Sequence, residues 1–397
     1  MRGGIKSEFP GLAGGEAALD GAAGTQMPQP VIDAIASAAG TAMANLGPHF
    51  AGGQRAIAAV DGARHAVADL VGGEPDGVVL GPNMTTLTFH FADALSHDWG
   101  RGDEVVVTSL DHDANVRPWV LAAERSGATV RWAEFDPGTG ELPPEAFDGV
   151  ISDKTRVVAV TAASNAIGTR PDVRAIADKA HAVGAYTYVD GVHATPHTPI
   201  DVRALGADFY AFSTYKLCGP HAGAVVAAPA LLRSLTPAKL APAPDSGPGR
   251  FERGTPAFEL QAGMTAAVDW IAGLTDAQGS RRERILGSMA AVEDHLQPLL
   301  KRAVDGLGAI DGVHLLPAGA RRTSTISFTV DDLAPADIAS RLADQGVWVW
   351  NGDNYAYELM KRFGLAESGG AIRASIVVYN DESDVDRLID GVTALRP

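Results

Sequence analysis

The chain has 397 residues, more than one average core of about 150, which points to two or three structural units. Its 46% apolar and 20% charged residues describe a folded globular protein and exclude a disordered or fibrous one. The 32 Lys and Arg against 48 Asp and Glu give a net charge of -16 with no basic run, which argues against nucleic acid or anionic membrane surfaces as partners, and one cysteine excludes internal disulfides and multi-cysteine metal sites. No stretch reaches the roughly 18 uncharged apolar residues of a membrane span. The N-terminal MRGGIKSEFPGLAGGEAALDG lacks the apolar segment of a signal peptide, so a cytoplasmic location is expected.

In chain order, a helical pattern over 84–97 precedes short β-rich runs at 104–110, 128–135, 155–163, 185–190, 208–213 and 222–228. Amphipathic stretches separate them, one after Asn115 and one from Pro171 to Val183, the second read as starting on a proline and stopping before Gly184. This alternation predicts an α/β fold with a mostly parallel sheet. Residues 230–256 are rich in Pro and Gly and read as a long irregular passage. Helical patterns follow at 258–275 and 280–303, then strands near 322–329, 346–350 and 371–379 and a closing helix after Asn380, which suggests a smaller α+β domain.

Ligands of open α/β sheets bind beyond the carboxyl ends of the strands. Those ends carry Asp111 and His112, Ser164 and Asn165, Asp190 and His193, and Ser213 and Lys216. No GxGxxG, phosphate-loop or GxSxG pattern occurs at a suitable place. His193 and His197 are four apart in HATPH, but Pro196 speaks against the helix that would align them, so no metal site is expected. Lys216 stands just before a Gly-Pro turn in FSTYKLCGPH, and Asp190 closes the preceding strand. A strand-end lysine can form a Schiff base with an aldehyde cofactor, and a carboxylate can hold a pyridine nitrogen protonated. Pyridoxal phosphate needs both.

The segments LDGAAGTQMP, GPNMTTLTF, LDHDANVRPW, SNAIGT, YVDGVHATPH, FSTYKLCGPHAG, FERGTP and IRASIVVYN stand in the order of a known family. The chain resembles the class V aminotransferases of the fold-type I pyridoxal-phosphate enzymes, and especially their cysteine-desulfurase-like branch. The resemblance implies a large domain with a mainly parallel seven-stranded sheet plus a smaller α+β domain. The expected division is an N-terminal segment 1–25 joining the small domain, a cofactor-binding domain 26–265 and a small domain 266–397. It further implies a homodimer with shared active sites acting on an amino acid.

By the same resemblance, Lys216 is the Schiff-base lysine and later the proton shuttle, Asp190 pairs the pyridine nitrogen, and His112 stacks on the cofactor ring. Asn165 and His193 reach its phenolic oxygen, the family often having Gln at the place of His193. The backbone amides of Met84 and Thr85, the Thr85 hydroxyl, Ser213 and Tyr215 match the phosphate site, with Tyr215 where a His is common. Thr255 in FERGTP matches a residue that reaches the partner subunit's phosphate. Arg373 in IRAS grips the substrate carboxylate, beside Asn165. His49 and Arg55 lie in a region that can border the substrate pocket.

Cysteine desulfurases carry a cysteine on a loop ahead of that arginine, and here residues 351–372 contain none. The one thiol, Cys218, is two residues from Lys216 and is expected to pack as a small apolar side chain. Without a thiol nucleophile the expected reaction is β-elimination, of C-S lyase or desulfinase type, from an amino acid that supplies its own leaving group. Racemisation or epimerisation, and transamination, are the alternatives on the same scaffold. A cofactor-binding protein that has lost catalysis is the non-enzymatic one.

Overall fold

The computed structural model describes residues 1–395. Seven strands, β1 (Val78–Gly81), β2 (Glu104–Thr108), β3 (Thr129–Ala133), β4 (Thr155–Thr161), β5 (Tyr186–Asp190), β6 (Phe209–Ser213) and β7 (Gly223–Ala227), form one sheet in the order β1-β7-β6-β5-β4-β2-β3. β7 is antiparallel to both neighbours, and the run from β6 to β3 is parallel throughout. The carboxyl ends of β1, β2, β4, β5 and β6 therefore open on one edge of the sheet.

Successive side chains of a strand point to opposite faces, and the core follows that period. Val105 and Val107 pack with Phe91, Trp119, Tyr188 and Phe209, whereas Val106 joins Val158 and Val160 on the other side. Helices cover both faces, as parallel strands require. They are α1 (Gln29–Thr41), α2 (Ala51–Val71), α3 (Met84–Leu95), α4 (Arg117–Ser126), α5 (Val173–Ala182), α6 (Pro229–Ser234), α7 (Phe258–Ala272) and α8 (Arg281–Gly308). α3 and α4 bury Leu87, Phe91 and Trp119 on the first face, and α2, α5 and α7 bury Val67, Ile176 and Val268 on the second. Each large apolar side chain removed from water in this way contributes about 1.5–3 kcal/mol.

A second, antiparallel sheet follows, made of β8 (Val313–Leu315), β9 (Thr325–Val330), β10 (Trp350–Gly352) and β11 (Ala371–Ser375) in the order β10-β11-β9-β8. α9 (Pro335–Ala343), α10 (Tyr357–Arg362) and α11 (Glu382–Thr393) complete this part. Near the N-terminus, Ala17–Ala18 pair in parallel with Val347–Trp348. Among the described residues no helix is long and apolar enough to cross a membrane.

Several boundaries differ from the sequence expectation for local reasons. The helix expected from Pro171 begins at Val173, because Asp172 accepts the Ala175 amide at 3.1 Å and so caps it. The strand expected over 371–379 stops at Ser375. Beyond it the Ile376 amide still bonds its register partner, the Ser324 carbonyl, but the Val377 amide turns to Asn380 Oδ1, which ends the ladder. α8 runs on past 303 to Gly308 with Pro298 inside it. The passage 230–256 is irregular apart from the end of α6 and one short turn of helix, Pro248–Phe251.

Candidate active site

Lys216 lies in a turn of 3-10 helix, Thr214–Lys216, directly after β6, and is 5% exposed. Asp190 is the last residue of β5 and is also buried. Both line a cavity of about 570 Å³ together with Met84, Thr85, His112, Asn165, His193, Ser213 and Tyr215. Ten of the eleven predicted site residues thus meet here or in the adjoining space. Of the eleven, Thr255 stands apart, exposed beside a smaller cavity of about 300 Å³.

Two glycines make the close approaches that frame this cavity. A Cβ on Gly191, just past Asp190, would fall 2.0 Å from the Tyr210 ring. One on Gly223 would meet the Asn83 carbonyl carbon at 2.6 Å, so only glycine lets the start of β7 lie against the N-terminus of α3.

That N-terminus is partly satisfied. Asn83 caps it by accepting the Thr86 amide at 2.8 Å, and the Met84 amide donates to Ser213 Oγ at 2.8 Å. Both the Met84 and Thr85 amides are expected at a phosphate; in the structure the first is already taken by Ser213. Among the described residues the Thr85 amide has no partner, and the Ser213 hydroxyl keeps its own proton to donate, so two donors at a helix N-terminus remain for an anion.

Electrostatics of the cavity follow from burial. The Lys216 amine is drawn down to about 7, first by burial and then by the Arg373 charge, with Asp190 acting the other way. Asp190 is pushed up to about 6 by burial, against the hydrogen bond it accepts from the Val192 amide and the attraction of Lys216. The two attract, yet among the described residues no ion pair closes between them.

His112 is held down to about 3 by burial, then by Lys216 and Arg373, and is neutral. Its Nδ1 accepts the Ala114 amide at 3.0 Å, which leaves the proton on Nε2. The preceding Asp111 is buried under Thr108, Asn115 and the Thr161 amide, and burial lifts its carboxyl to about 7. His193 is pushed well below its usual range by burial and by His197; its Nε2 lies 2.9 Å from Thr325 Oγ1 and 3.1 Å from Thr323 Oγ1, and its Nδ1 has no partner. Asn165 donates to the Asn354 carbonyl at 2.8 Å, while its own Oδ1 is buried without a partner. Tyr215 stacks on His221, rings 5.1 Å apart, and Lys216 Nζ lies 5.8 Å from the Tyr215 ring centre.

Arg373, in the middle of β11, is buried and reaches the adjoining cavity of about 730 Å³, which Lys216, His112, Asn165 and Tyr215 also line. Its guanidinium is lowered to about 10 by burial, against the pull of Asp20. Its one hydrogen bond runs from Nη1 to the Asn165 carbonyl at 3.1 Å, and no carboxylate comes within ion-pair distance among the described residues.

Sequence reasoning missed three features of this second cavity. Asp20, from the N-terminal segment, lines it near Arg373, with Oδ1 unpartnered and its carboxyl raised by burial. Asn354 and Tyr355 both adopt left-handed backbone, φ 56° and 54°, at a cost of about 1–3 kcal/mol for each such residue. The Tyr355 ring stacks on His112 at 5.5 Å and 16°. Asp20 and His221 stand inside the segments LDGAAGTQMP and FSTYKLCGPHAG, but their places in the site, like that of Tyr355, depend on partners far away in sequence. Arg55 donates to the Thr41 carbonyl and His49 is exposed, and neither lines the two cavities around Lys216.

A pyridine aldehyde phosphate requires a lysine able to shed its proton, a buried carboxylate for the ring nitrogen, free donors at a helix N-terminus and an unpartnered group for the phenolic oxygen. Lys216, Asp190, the Thr85 amide with Ser213, and Asn165 or His193 fit that set. The family model for class V aminotransferases matches residues 17–388. An uncharacterized protein of Mycobacterium tuberculosis is 34% identical, with 98% of each chain covered, and a cysteine desulfurase of Haloferax volcanii is 34% identical over 95% of this chain and 89% of its own. The structure of a cysteine desulfurase from Thermococcus onnurineus superposes with a TM-score of 0.88 at 27% identity, over 98% of this chain and 97% of that one. The chain belongs to the class V aminotransferase family, in its cysteine-desulfurase-like branch, and is an enzyme whose cofactor is pyridoxal 5'-phosphate.

Proposed function

We propose that this enzyme catalyses β-elimination from an amino acid that carries its own leaving group, without a cysteine persulfide. The carrying observation is the position of the one thiol. Cys218 is buried, lines neither cavity around Lys216, and burial pushes its thiol up to about 12, so it is neither accessible nor ionised at neutral pH. Sulfur transfer onto a protein cysteine needs both.

In this reading Lys216 attaches the cofactor, Asp190 holds its ring nitrogen protonated, and neutral His112 covers its ring. Asn165 and His193 face the phenolic oxygen, and the Thr85 amide and hydroxyl with Met84, Ser213 and Tyr215 surround the phosphate. The bound cofactor supplies an electron sink for the pair released at the substrate α-carbon. Arg373 pairs with the substrate carboxylate, which orients the α-hydrogen toward Lys216. The Lys216 amine, neutral above about pH 7, takes that proton. The β-substituent departs with the electron pair of its bond to the β-carbon, and water converts the remaining enamine to pyruvate and ammonia.

Incubating the enzyme with S-methyl-L-cysteine tests this, the expected products being methanethiol, pyruvate and ammonia in equal amounts. Loss of optical activity with deuterium uptake and no ammonia would assign racemisation instead. Cys218→Ser is expected to leave turnover within about twofold, since the thiol touches no reacting atom; abolished turnover with cofactor still bound would sink the thiol-free reading.

We also propose a cytoplasmic homodimer in which Thr255 completes the partner subunit's phosphate site. Thr255 is exposed and lines one cavity with Leu46 and Leu240, two exposed large apolar side chains of the kind that mark a contact surface. Sedimentation at micromolar concentration is expected to give a dimer, and Thr255→Val to weaken cofactor retention about tenfold or more, the loss of one hydrogen bond to a charged group. A monomer that keeps its cofactor would overturn this.

A further inference from the structure

We infer that Tyr355 and Trp350 form an aromatic rim that selects cysteine S-conjugates with an aryl group on sulfur, an assignment that rests on the elimination reading above. Trp350 is the register partner of Arg373 across β10 and β11. Directly opposed residues of an antiparallel pair project on the same side of the sheet, about 5 Å apart at Cβ. A substrate held by its carboxylate on Arg373 therefore lies beside the indole, which is 50% exposed and lines the same cavity.

Tyr355 closes the other side. Its ring is 71% exposed yet stacked on His112, and its left-handed backbone is fixed from three directions. The Asp113 amide donates to the Tyr355 carbonyl at 2.7 Å, the Tyr355 amide donates to Asp353 Oδ1 at 2.9 Å, and Asn165 Nδ2 donates to the Asn354 carbonyl at 2.8 Å. Asn165 is also the residue whose carbonyl accepts from Arg373. One residue thus ties the carboxylate clamp to the turn that presents the phenol ring. A strained turn held this firmly serves to hold its side chain in place, and apart from its stack on His112 that side chain is exposed.

The space between these rings is larger than a small thiol amino acid needs, and Phe89 adds a third aromatic side chain to it. The charged groups at this mouth, Asp113 and Arg117, are paired with each other at 3.0 Å. A flat, uncharged substituent matches such a rim by ring stacking. In S-phenyl-L-cysteine the sulfur leaves with the electron pair of the Cβ–S bond and takes a proton to give thiophenol. The carbon skeleton and water give pyruvate and ammonia. No oxidant or reductant is consumed.

Calorimetric titration of the holoenzyme separates binding from chemistry when the sulfur is replaced by CH2. L-homophenylalanine then stands for the phenyl conjugate and L-norvaline for the methyl one. The wild type is expected to bind homophenylalanine about tenfold more tightly than norvaline, the ratio that one good ring stack supplies. Tyr355→Ala is expected to bring the ratio to within about threefold and Tyr355→Phe to retain it. The ratio of kcat/KM for S-phenyl- over S-methyl-L-cysteine is expected to move in parallel. Equal affinities in the wild type, or an unchanged ratio in Tyr355→Ala, would overturn the rim while leaving the elimination reading intact. A cofactor-loaded enzyme that binds neither amino acid would overturn both.

Discussion

Lys216→Ala is expected to abolish covalent cofactor attachment and to lower turnover by about 10³-fold or more, the combined loss of a nucleophilic amine and of the proton shuttle. Borohydride treatment followed by peptide mapping reads the attachment, and product release reads the turnover. The fold should survive. A buried amine drawn down to about 7 is only partly charged at physiological pH, and its removal leaves no counter-charge behind except Asp190, whose carboxyl then rises further as the attraction of Lys216 is lost. A variant that still fixes cofactor on reduction and still turns over would show that another residue carries the chemistry.

The same amine sets a pH dependence. Only the neutral form attacks an aldehyde, and a group titrating near 7 passes from mostly charged to mostly neutral as pH rises through that value. Uptake of cofactor by apo-protein is therefore expected to speed up roughly tenfold per pH step below about 7 and to level off above it. An ordinary lysine would still be accelerating at pH 9.

Much of this site was legible because parallel strands deliver their carboxyl ends to one edge. His112, Asn165, Asp190 and Lys216 each follow an apolar run by one to four residues, and a reading of strand ends finds them without knowing the pairing. The strand Val78–Gly81 escaped because four residues carry no usable period, and what identifies it is its partner β7, some 140 positions on. Asp20 and Tyr355 escaped for a related reason. One comes from the N-terminal segment and the other from a turn whose left-handed backbone is stabilised by Asp113 and Asn165, long-range contacts that composition does not encode. The Met84 amide was legible as a helix-terminal donor, but its capture by Ser213 was not, since that bond depends on how closely β6 approaches α3.

Arg373→Ala is expected to lower kcat/KM for amino acids by about 10²–10⁴, because two charge-assisted hydrogen bonds to a carboxylate are worth about 1.5–3 kcal/mol each. Cofactor content should stay near that of the wild type, which separates this effect from misfolding. Amines lacking the carboxylate serve as a control: the wild type should discriminate strongly against them, and the variant hardly at all. Arg373→Lys should recover only part of the loss, since an ammonium cannot present the paired N–H geometry of a guanidinium. There is a second consequence for Lys216. The Arg373 charge is the next cause after burial of its lowered proton affinity, so removing it should shift the pH dependence of cofactor uptake upward. If kcat/KM fell with no shift in that profile, the clamp would stand but its electrostatic link to the lysine would not. If the profile shifted while amino acids and amines were still discriminated, another cation would have to hold the carboxylate, and buried Arg373, with no carboxylate of its own in ion-pair reach, would be left without the partner its burial demands.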